Sequence, residues 1–149
     1  MTDSETIWSE VWDKVYSVVL ETSGLTVTNT FQTIKRPPVV AEDEVLVMVP
    51  SGGSSIVVSD TGGDYQLYSI PIYVFTKGDD DIAAMKLAIS WVGKIKKKIL
   101  AHRTLDNLVE DVKFGQSRSN PPEVQGYERQ LVVFVVEART WVDDPTSEE

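Results

Sequence analysis

Apolar residues recur along the chain with two periods, and the longer period predicts two amphipathic helices. The first is predicted to begin at Asp3 or Ser4, which can cap it, and to end at the Ser23-Gly24 pair. The second is predicted to run from the acidic residues 79–81 to about Leu100. In each helix, apolar side chains three or four positions apart form one stripe. The stripes are Trp8, Val11, Trp12, Val15, Val18 and Val19 in the first helix, and Ile82, Met85, Ile89, Val92, Ile95 and Ile99 in the second.

The shorter period, together with runs of Val, Ile, Thr, Tyr and Phe, predicts strands between and after the helices. Pro71 lies inside one of these runs and removes a ladder donor, which predicts an edge position or a bulge there. Strands joined by short turns outnumber alternating strand–helix units. The order therefore predicts an α+β fold, with a mixed, mainly antiparallel sheet and both helices packed on it. The predicted strands are residues 25–35, 44–49, 55–59, 65–76, 108–116 and 127–142.

The strand at residues 65–76 is apolar on both of its faces, and residues 131–136 share this property. A strand of this kind must be covered on both faces, and one helix layer covers only one. The rest of the chain offers little to cover the second face. We therefore expect another copy of the chain to complete part of the core, which indicates an assembly protein.

Length and composition limit the classes of protein to be considered. With 149 residues and 42% hydrophobic residues, the chain predicts one globular domain at residues 1–142, followed by a disordered acidic segment at residues 143–149. The absence of cysteine excludes disulfides and thiolate sites. No apolar run predicts a membrane span, and the acidic start does not match a secretory signal, so a cytosolic protein is expected. A net charge of −9 opposes general binding to phosphate backbones.

The residues that most often carry chemistry have simpler interpretations here. The single histidine, His102, has no second His or Cys to join it in a metal site. The acids at residues 79–81 suit a helix start, and the basic residues between 94 and 103 suit a helix end, with no aromatic platform for nucleic acid predicted on their face. The glycine-rich residues 51–55 and 61–63 do not continue into a phosphate-binding loop. We therefore predict no enzyme activity, no catalytic residue, no cofactor and no metal.

The combined pattern resembles the tail terminator, or tail completion, proteins of long-tailed phages and related viruses. The resemblance rests on an N-terminal amphipathic helix, a tyrosine-rich strand (YQLYSIPIYVFTK), an acid-capped helix (DDDIAAMKLAISWVGKI) and a closing apolar strand (RQLVVFVVEARTW). It covers about residues 4–142. It implies a virion protein, assembled in the host cytoplasm, that forms a homohexameric ring on the tail tube, ends tube growth and meets the head–tail connector. DNA would pass through the ring without specific recognition, and no membrane would be involved.

The polar loop at residues 117–126 is predicted to be a hairpin arm that contacts a neighbouring subunit or partner. Its two adjacent prolines cannot donate ladder bonds, so the arm cannot simply extend the sheet. Two other functions fit the same sequence: another neck protein, such as a head-completion protein or connector adaptor, or a small cellular binding module. The candidate contact residues are Arg118, Asn120, Pro121, Pro122 and Glu123.

Overall fold

The computed structural model of the protein describes residues 4–34, 44–60, 63–77, 80–120 and 130–143. Within these ranges, two helices and seven strands follow one another along the chain. They are α1 (Ser4–Leu20), β1 (Thr30–Phe31), β2 (Val45–Met48), β3 (Gly53–Asp60), β4 (Gly63–Thr76), α2 (Asp81–Leu100), β5 (Asp111–Phe114), β6 (Arg118–Ser119) and β7 (Gln130–Asp143).

All seven strands belong to one sheet with the order β1-β2-β4-β7-β5, while β3 also pairs with β4 and β6 also pairs with β7. The β1–β2 pair is parallel and the other pairs are antiparallel. The centre of the sheet is the pair β4–β7, which is continuous from Gly63↔Asp143 to Thr76↔Gln130. The predicted α+β fold with a mixed, mainly antiparallel sheet is confirmed.

Both helices pack on one face of this sheet and form the main core. The N-cap of α2 is Asp80, whose carboxylate accepts a hydrogen bond from the backbone N–H of Ala83 at 2.7 Å, as an acidic helix start predicts. Each large side chain in this core contributes roughly 1.5–3 kcal/mol by leaving water. Its central members are Val11, Val15, Val18 and Val19 of α1, Ala88, Val92, Ile95 and Ile99 of α2, Tyr68, Ile70, Ile72 and Val74 of β4, and Phe134, Val136 and Ala138 of β7.

The opposite face of the sheet carries a second, smaller apolar cluster near the β1 edge. Leu46, Met48, Phe75 and Leu131 are buried there within the monomer. Phe31, Ile34, Tyr73 and Val133 pack against them and are partly buried. The expectation that the chain supplies little to cover this face is therefore wrong at the Thr76 end of β4. At the other end of β4, near Gly63, the same face is less covered, since Trp141 remains 47% exposed there.

Two predicted strands are shorter than the sequence pattern indicated. Within the described part of residues 25–35, a strand forms only at Thr30–Phe31, because Asn29 and Thr26 hydrogen-bond within the preceding turn. Residues 108–116 form a strand only at Asp111–Phe114. The chain before β5 turns through three consecutive residues with positive φ, Leu105, Asp106 and Asn107.

Pro71 lies in a central strand, so the predicted edge position is wrong. It pairs with Val135 of β7 on one side. On its other side β4 pairs with β3 up to Ser69 and with β2 from Tyr73 onward, and the link between those strands passes in between. Gly52 of this link comes so close that a Cβ there would lie 1.8 Å from the carbonyl oxygen of Ser69. The missing N–H of Pro71 therefore falls in an interruption of the ladder, where no strand needs it.

Candidate interaction surface

The strand β3 is an edge of the sheet with an exposed apolar surface. It pairs with β4 along one side, and no described strand pairs with its other side. Ile56, Val57 and Val58 are 56%, 51% and 50% exposed. Ile56 pairs with Gln66 on the helix side of the sheet and Val58 pairs with Tyr65 on the other side, with a register irregularity between them, so the exposed apolar surface spans both faces of the edge. Unpaired backbone beside exposed apolar side chains is a ready template for another strand.

Two aromatic side chains extend this surface across the sheet. Val58 pairs with Tyr65, and Tyr65 pairs with Trp141 on the face opposite to the helices. The Tyr65 and Trp141 rings lie 5.2 Å apart, and Trp141 remains 47% exposed. We refer to Ile56, Val57, Val58, Tyr65 and Trp141 together as the β3 surface. An exposed apolar patch of this kind is typical of a protein–protein contact.

The neighbouring part of the same edge is covered by α1. Trp8 and Trp12 donate their indole N–H groups at 2.8 Å to the backbone carbonyls of Ser51 and Val49. One turn later, the Tyr16 hydroxyl donates to the carbonyl of Thr30 at 3.0 Å. The spacing of four residues places all three donors on one side of the helix. The two indole groups satisfy carbonyls of the segment that leads into β3, and the Tyr16 hydroxyl satisfies one in β1. No described element covers the outer side of β3 itself.

The opposite edge of the sheet holds the described part of the predicted contact loop. Arg118 is in β6 and pairs with Val133 of β7, so the ladder continues two residues into a segment predicted to be loop. Asn120 has a φ of +43° and is hydrogen-bonded to the start of β7 at the base of the loop. Its backbone N–H donates to the carbonyl of Leu131 at 2.7 Å, while its side chain accepts from the N–H of Leu131 at 2.9 Å and donates to Gln130 at 2.7 Å.

The structure thus brings Arg118 and Asn120 to one edge and gives Asn120 a structural function within the chain. Pro121, Pro122 and Glu123 lie outside the described residues, so the predicted contacts of this loop stay a prediction. The strand β6 had no signal in the sequence, because two exposed polar residues carry neither an apolar period nor a turn motif. The segment after Asp143 also lies outside the described residues; β7 itself extends to Asp143.

The basic residues near the end of α2 divide into two groups. Lys96 packs 5.4 and 5.3 Å from the ring centroids of Phe114 and Phe134 and donates to the Ser117 hydroxyl at 2.9 Å. Lys94 lies 4.6 Å from the ring centroid of Trp91, so an aromatic ring accompanies this patch and is in contact with one of its lysines. The remaining lysines face the end of α1.

A groove of about 580 Å³ lies between the C-terminal ends of the two helices. Its basic side is formed by Lys94, Lys97 and Lys98. Its other side is formed by residues 21–23, which follow α1. Ala101 completes the lining. This groove is a second candidate interaction surface, and its charge is opposite in sign to that of the chain as a whole.

His102 lies beside this groove in a cluster of charged side chains. Its ring nitrogens are 3.4 Å from a carboxylate oxygen of Glu21 and 3.6 Å from one of Asp106. Asp106 also forms an ion pair with Lys14, and this hydrogen bond is the main cause that holds the pKa of Asp106 below its usual value. Nearby, Arg103 lowers the pKa of Asp111 by its hydrogen bonds to that carboxylate. These contacts join α1 to the segment that follows α2.

The described residues contain no group of three or more His, Cys, Asp or Glu side chains placed to hold a metal ion. No helix in the same part of the chain has both the length and the apolar character needed to cross a membrane.

The sequence matches no protein-family model and no characterised protein sequence. Among solved structures, the protein is similar to a chain from the virion of a native gene transfer agent particle. The two superpose with a TM-score of 0.60 over 89% of this chain and 95% of that chain, at 16% sequence identity. At this identity the likeness establishes a shared fold over nearly the whole length of both chains.

Proposed function

We propose that this protein is a structural component of a phage-like virion, and that it is a tail terminator: a ring of identical subunits that caps the tail tube. The observation that carries the proposal is the β3 surface, an uncovered apolar edge in a domain with the fold of a virion chain. The resemblance of the sequence to tail terminators supports the same function. In this proposed function, the ring, expected to be a hexamer, ends growth of the tail tube, meets the head–tail connector and lets DNA pass.

The contact between copies is proposed to be head-to-tail. β3 lies on one edge of the sheet and β5 and β6 lie on the other, so the edge of one copy faces a different edge of the next. Such heterologous contacts close into rings when the rotation between copies divides a full turn. Burial of apolar area contributes about 25 cal/mol per Å², and stable interfaces bury about 800 Å² per partner.

The test compares two substitutions of the same kind. Val57→Lys places a charge in the β3 surface, whereas Val27→Lys changes a valine that is 69% exposed and lies outside it. Both variants are expected to fold, because both valines are already solvent-exposed in the monomer. Val57→Lys should weaken association on the order of tenfold or more, since a lysine on an edge strand opposes pairing with another strand.

Association is measured by light scattering and negative-stain imaging, with and without purified tail tubes. The proposal predicts rings at tube ends for the unchanged protein and for Val27→Lys, and their loss for Val57→Lys. A strict monomer that never binds tube ends would refute the terminator function. Binding to a connector complex in place of the tube would instead identify another neck protein.

A further inference from the structure

The groove between α1 and α2 collects positive charge, and among the described residues its lysines have one ring contact, that of Lys94 with Trp91. Lys97 and Lys98 are four and three residues before Ala101 along the helix side that lines the groove, and Lys94 is one turn before Lys98. The other two cations of this region are occupied elsewhere, Lys96 by Ser117 and Arg103 by Asp111. Within the described part of the chain, no ion pair joins the three groove lysines to a carboxylate.

The groove also contains a buried polar group that lacks a partner. Thr22 is 4% exposed and lines the groove, and its hydroxyl makes no hydrogen bond among the described residues. The hydroxyl oxygen is itself closed off from solvent, so Thr22 shapes the groove and does not reach a ligand in it. The ammonium groups of Lys94, Lys97 and Lys98 outnumber the one carboxylate of the lining, that of Glu21, so the groove keeps a net positive charge that suits carboxylates.

The net charge of the protein selects among anionic ligands. A phosphate backbone extends well beyond the groove, and a chain of charge −9 repels it over a distance of about 8 Å at physiological ionic strength. Lys94 already lies over the ring of Trp91, which a nucleobase would need for stacking. A short acidic peptide contacts less of the acidic surface around the groove than a phosphate backbone does, and so meets less of this repulsion.

A peptide of this chemistry is present in the chain itself. Residues 143–149 read Asp-Asp-Pro-Thr-Ser-Glu-Glu and contain four acidic and no basic side chains. The last described residue of β7, Asp143, pairs with Gly63, the first residue of β4. The segment therefore follows a residue that lies next to the β3 surface, where the neighbouring copy docks in the proposed ring.

We propose that the groove formed by Lys94, Lys97 and Lys98 binds the acidic segment 143–149 of a neighbouring copy. The choice of a neighbouring copy rests on the proposed ring. The specificity for an acidic segment rests on the groove alone. Each subunit then donates its acidic segment to one neighbour and receives the segment of the other, which adds a second link to the contact at β3.

The first experiment measures binding of the segment to the groove. A fluorescein-labelled peptide of residues 143–149 is titrated with a full-length variant whose own segment is neutralised by Asp144→Asn, Glu148→Gln and Glu149→Gln. Adding Lys97→Glu and Lys98→Glu should weaken peptide binding by about tenfold or more and remove its dependence on salt. The matched control, Lys86→Glu with Lys113→Glu, changes two exposed lysines outside the groove and should leave binding unchanged.

The second experiment asks whether the segment comes from another copy. The neutral-segment variant retains its groove, and the Lys97→Glu/Lys98→Glu variant retains its segment. Each variant alone keeps only the contact at β3, so mixing them should give tighter hetero-association than either shows with itself, detected with two different tags at equal concentration. If the segment of the unchanged protein instead occupies the groove of its own chain, neutralising the segment will leave self-association unaltered, and the assignment to a neighbour is refuted.

The outcomes separate this inference from the ring proposal. Loss of rings in Val57→Lys with unchanged peptide binding leaves the groove assignment intact. Groove-dependent peptide binding without any rings would refute the ring and keep the groove as an acidic-peptide site. No peptide binding, equal binding by the groove and control variants, or tighter binding of an oligonucleotide of equal charge would each refute the inference.

Discussion

Replacing Trp12 by phenylalanine tests how α1 supports the start of the β3 edge. The indole N–H of Trp12 donates to the carbonyl of Val49, a residue with no exposure to solvent. Phenylalanine keeps most of the ring and removes the donor, so the carbonyl of Val49 is left without this partner and without water. Such an unsatisfied buried group costs about 1–3 kcal/mol.

Trp8 offers a matched control for the same substitution. Its indole donates at the same distance, 2.8 Å, to the carbonyl of Ser51, a residue that is partly exposed. Water can replace the donor there, so Trp8→Phe should be less damaging by about 1 kcal/mol or more, although the loss of ring size is the same. The difference between the two variants therefore isolates the cost of the buried carbonyl.

Urea denaturation followed by circular dichroism measures both free energies of unfolding, and thermal melting provides a second measure. A loss of 1 kcal/mol corresponds to a decrease in Tm of about 2–4 °C for a chain of this size. Equal destabilisation by the two variants, or greater destabilisation by Trp8→Phe, would show that burial of the Val49 carbonyl is not what makes the Trp12 contact important.

Two further predictions concern the helices and their ion pairs. Asp80→Ala removes the N-cap of α2 and should lower the free energy of unfolding by about 0.5–2 kcal/mol, whereas Asp81→Ala, one position later, should lower it less; urea denaturation compares the two. The pKa of Asp106 is held below its usual value by Lys14, so this pair stabilises the fold above the unfolded pKa, near 3.8, and the stabilisation is lost as the pH falls through the lowered folded value. Stability of Lys14→Met measured from pH 7 to pH 2 should therefore show a weaker acid-induced loss than that of the unchanged protein, and an identical pH profile would contradict this assignment.

The parts of the fold that sequence predicted best depend on local periodicity. The helix from Ser4 to Leu20 and the long strands β4 and β7 each carry a sustained pattern, because their apolar side chains must face a single core. Residues 25–35 carried a similar alternation, yet local hydrogen bonds of Thr26 and Asn29 competed with the strand and prevailed. The alternation of apolar and polar residues alone does not show whether local hydrogen bonds will outcompete strand pairing.

The position of each strand within the sheet could not be read from local pattern. Pro71 predicts an edge position or a bulge when only its own strand is considered, whereas the ladder beside this central strand is interrupted at Gly52, more than fifteen residues away in sequence. The exposure of Val57 has the same origin, because the sequence predicted a strand there without showing that its outer side lacks a partner. Edges arise from pairing between distant segments, and so the β3 surface became visible only in the folded chain.

The way in which the chain covers its own apolar faces bears on how it would assemble. The continuous β4–β7 pair, the helix layer and the cluster around Phe75 bury the main apolar surface within one copy. Among the described residues, the surface left for contact between copies includes the edge strand β3 with Trp141, the basic groove, and the exposed side chains of Ile82, Ile89 and Leu100 on α2. Such a surface allows a stable monomer with weak association, so we expect rings of the isolated protein to require high concentration. A preformed ring of tail-tube subunits would supply the missing free energy by holding several copies side by side, since binding events that follow the first occur at high effective concentration. Assembly would then be confined to the end of a finished tube, which is where a terminator has to act.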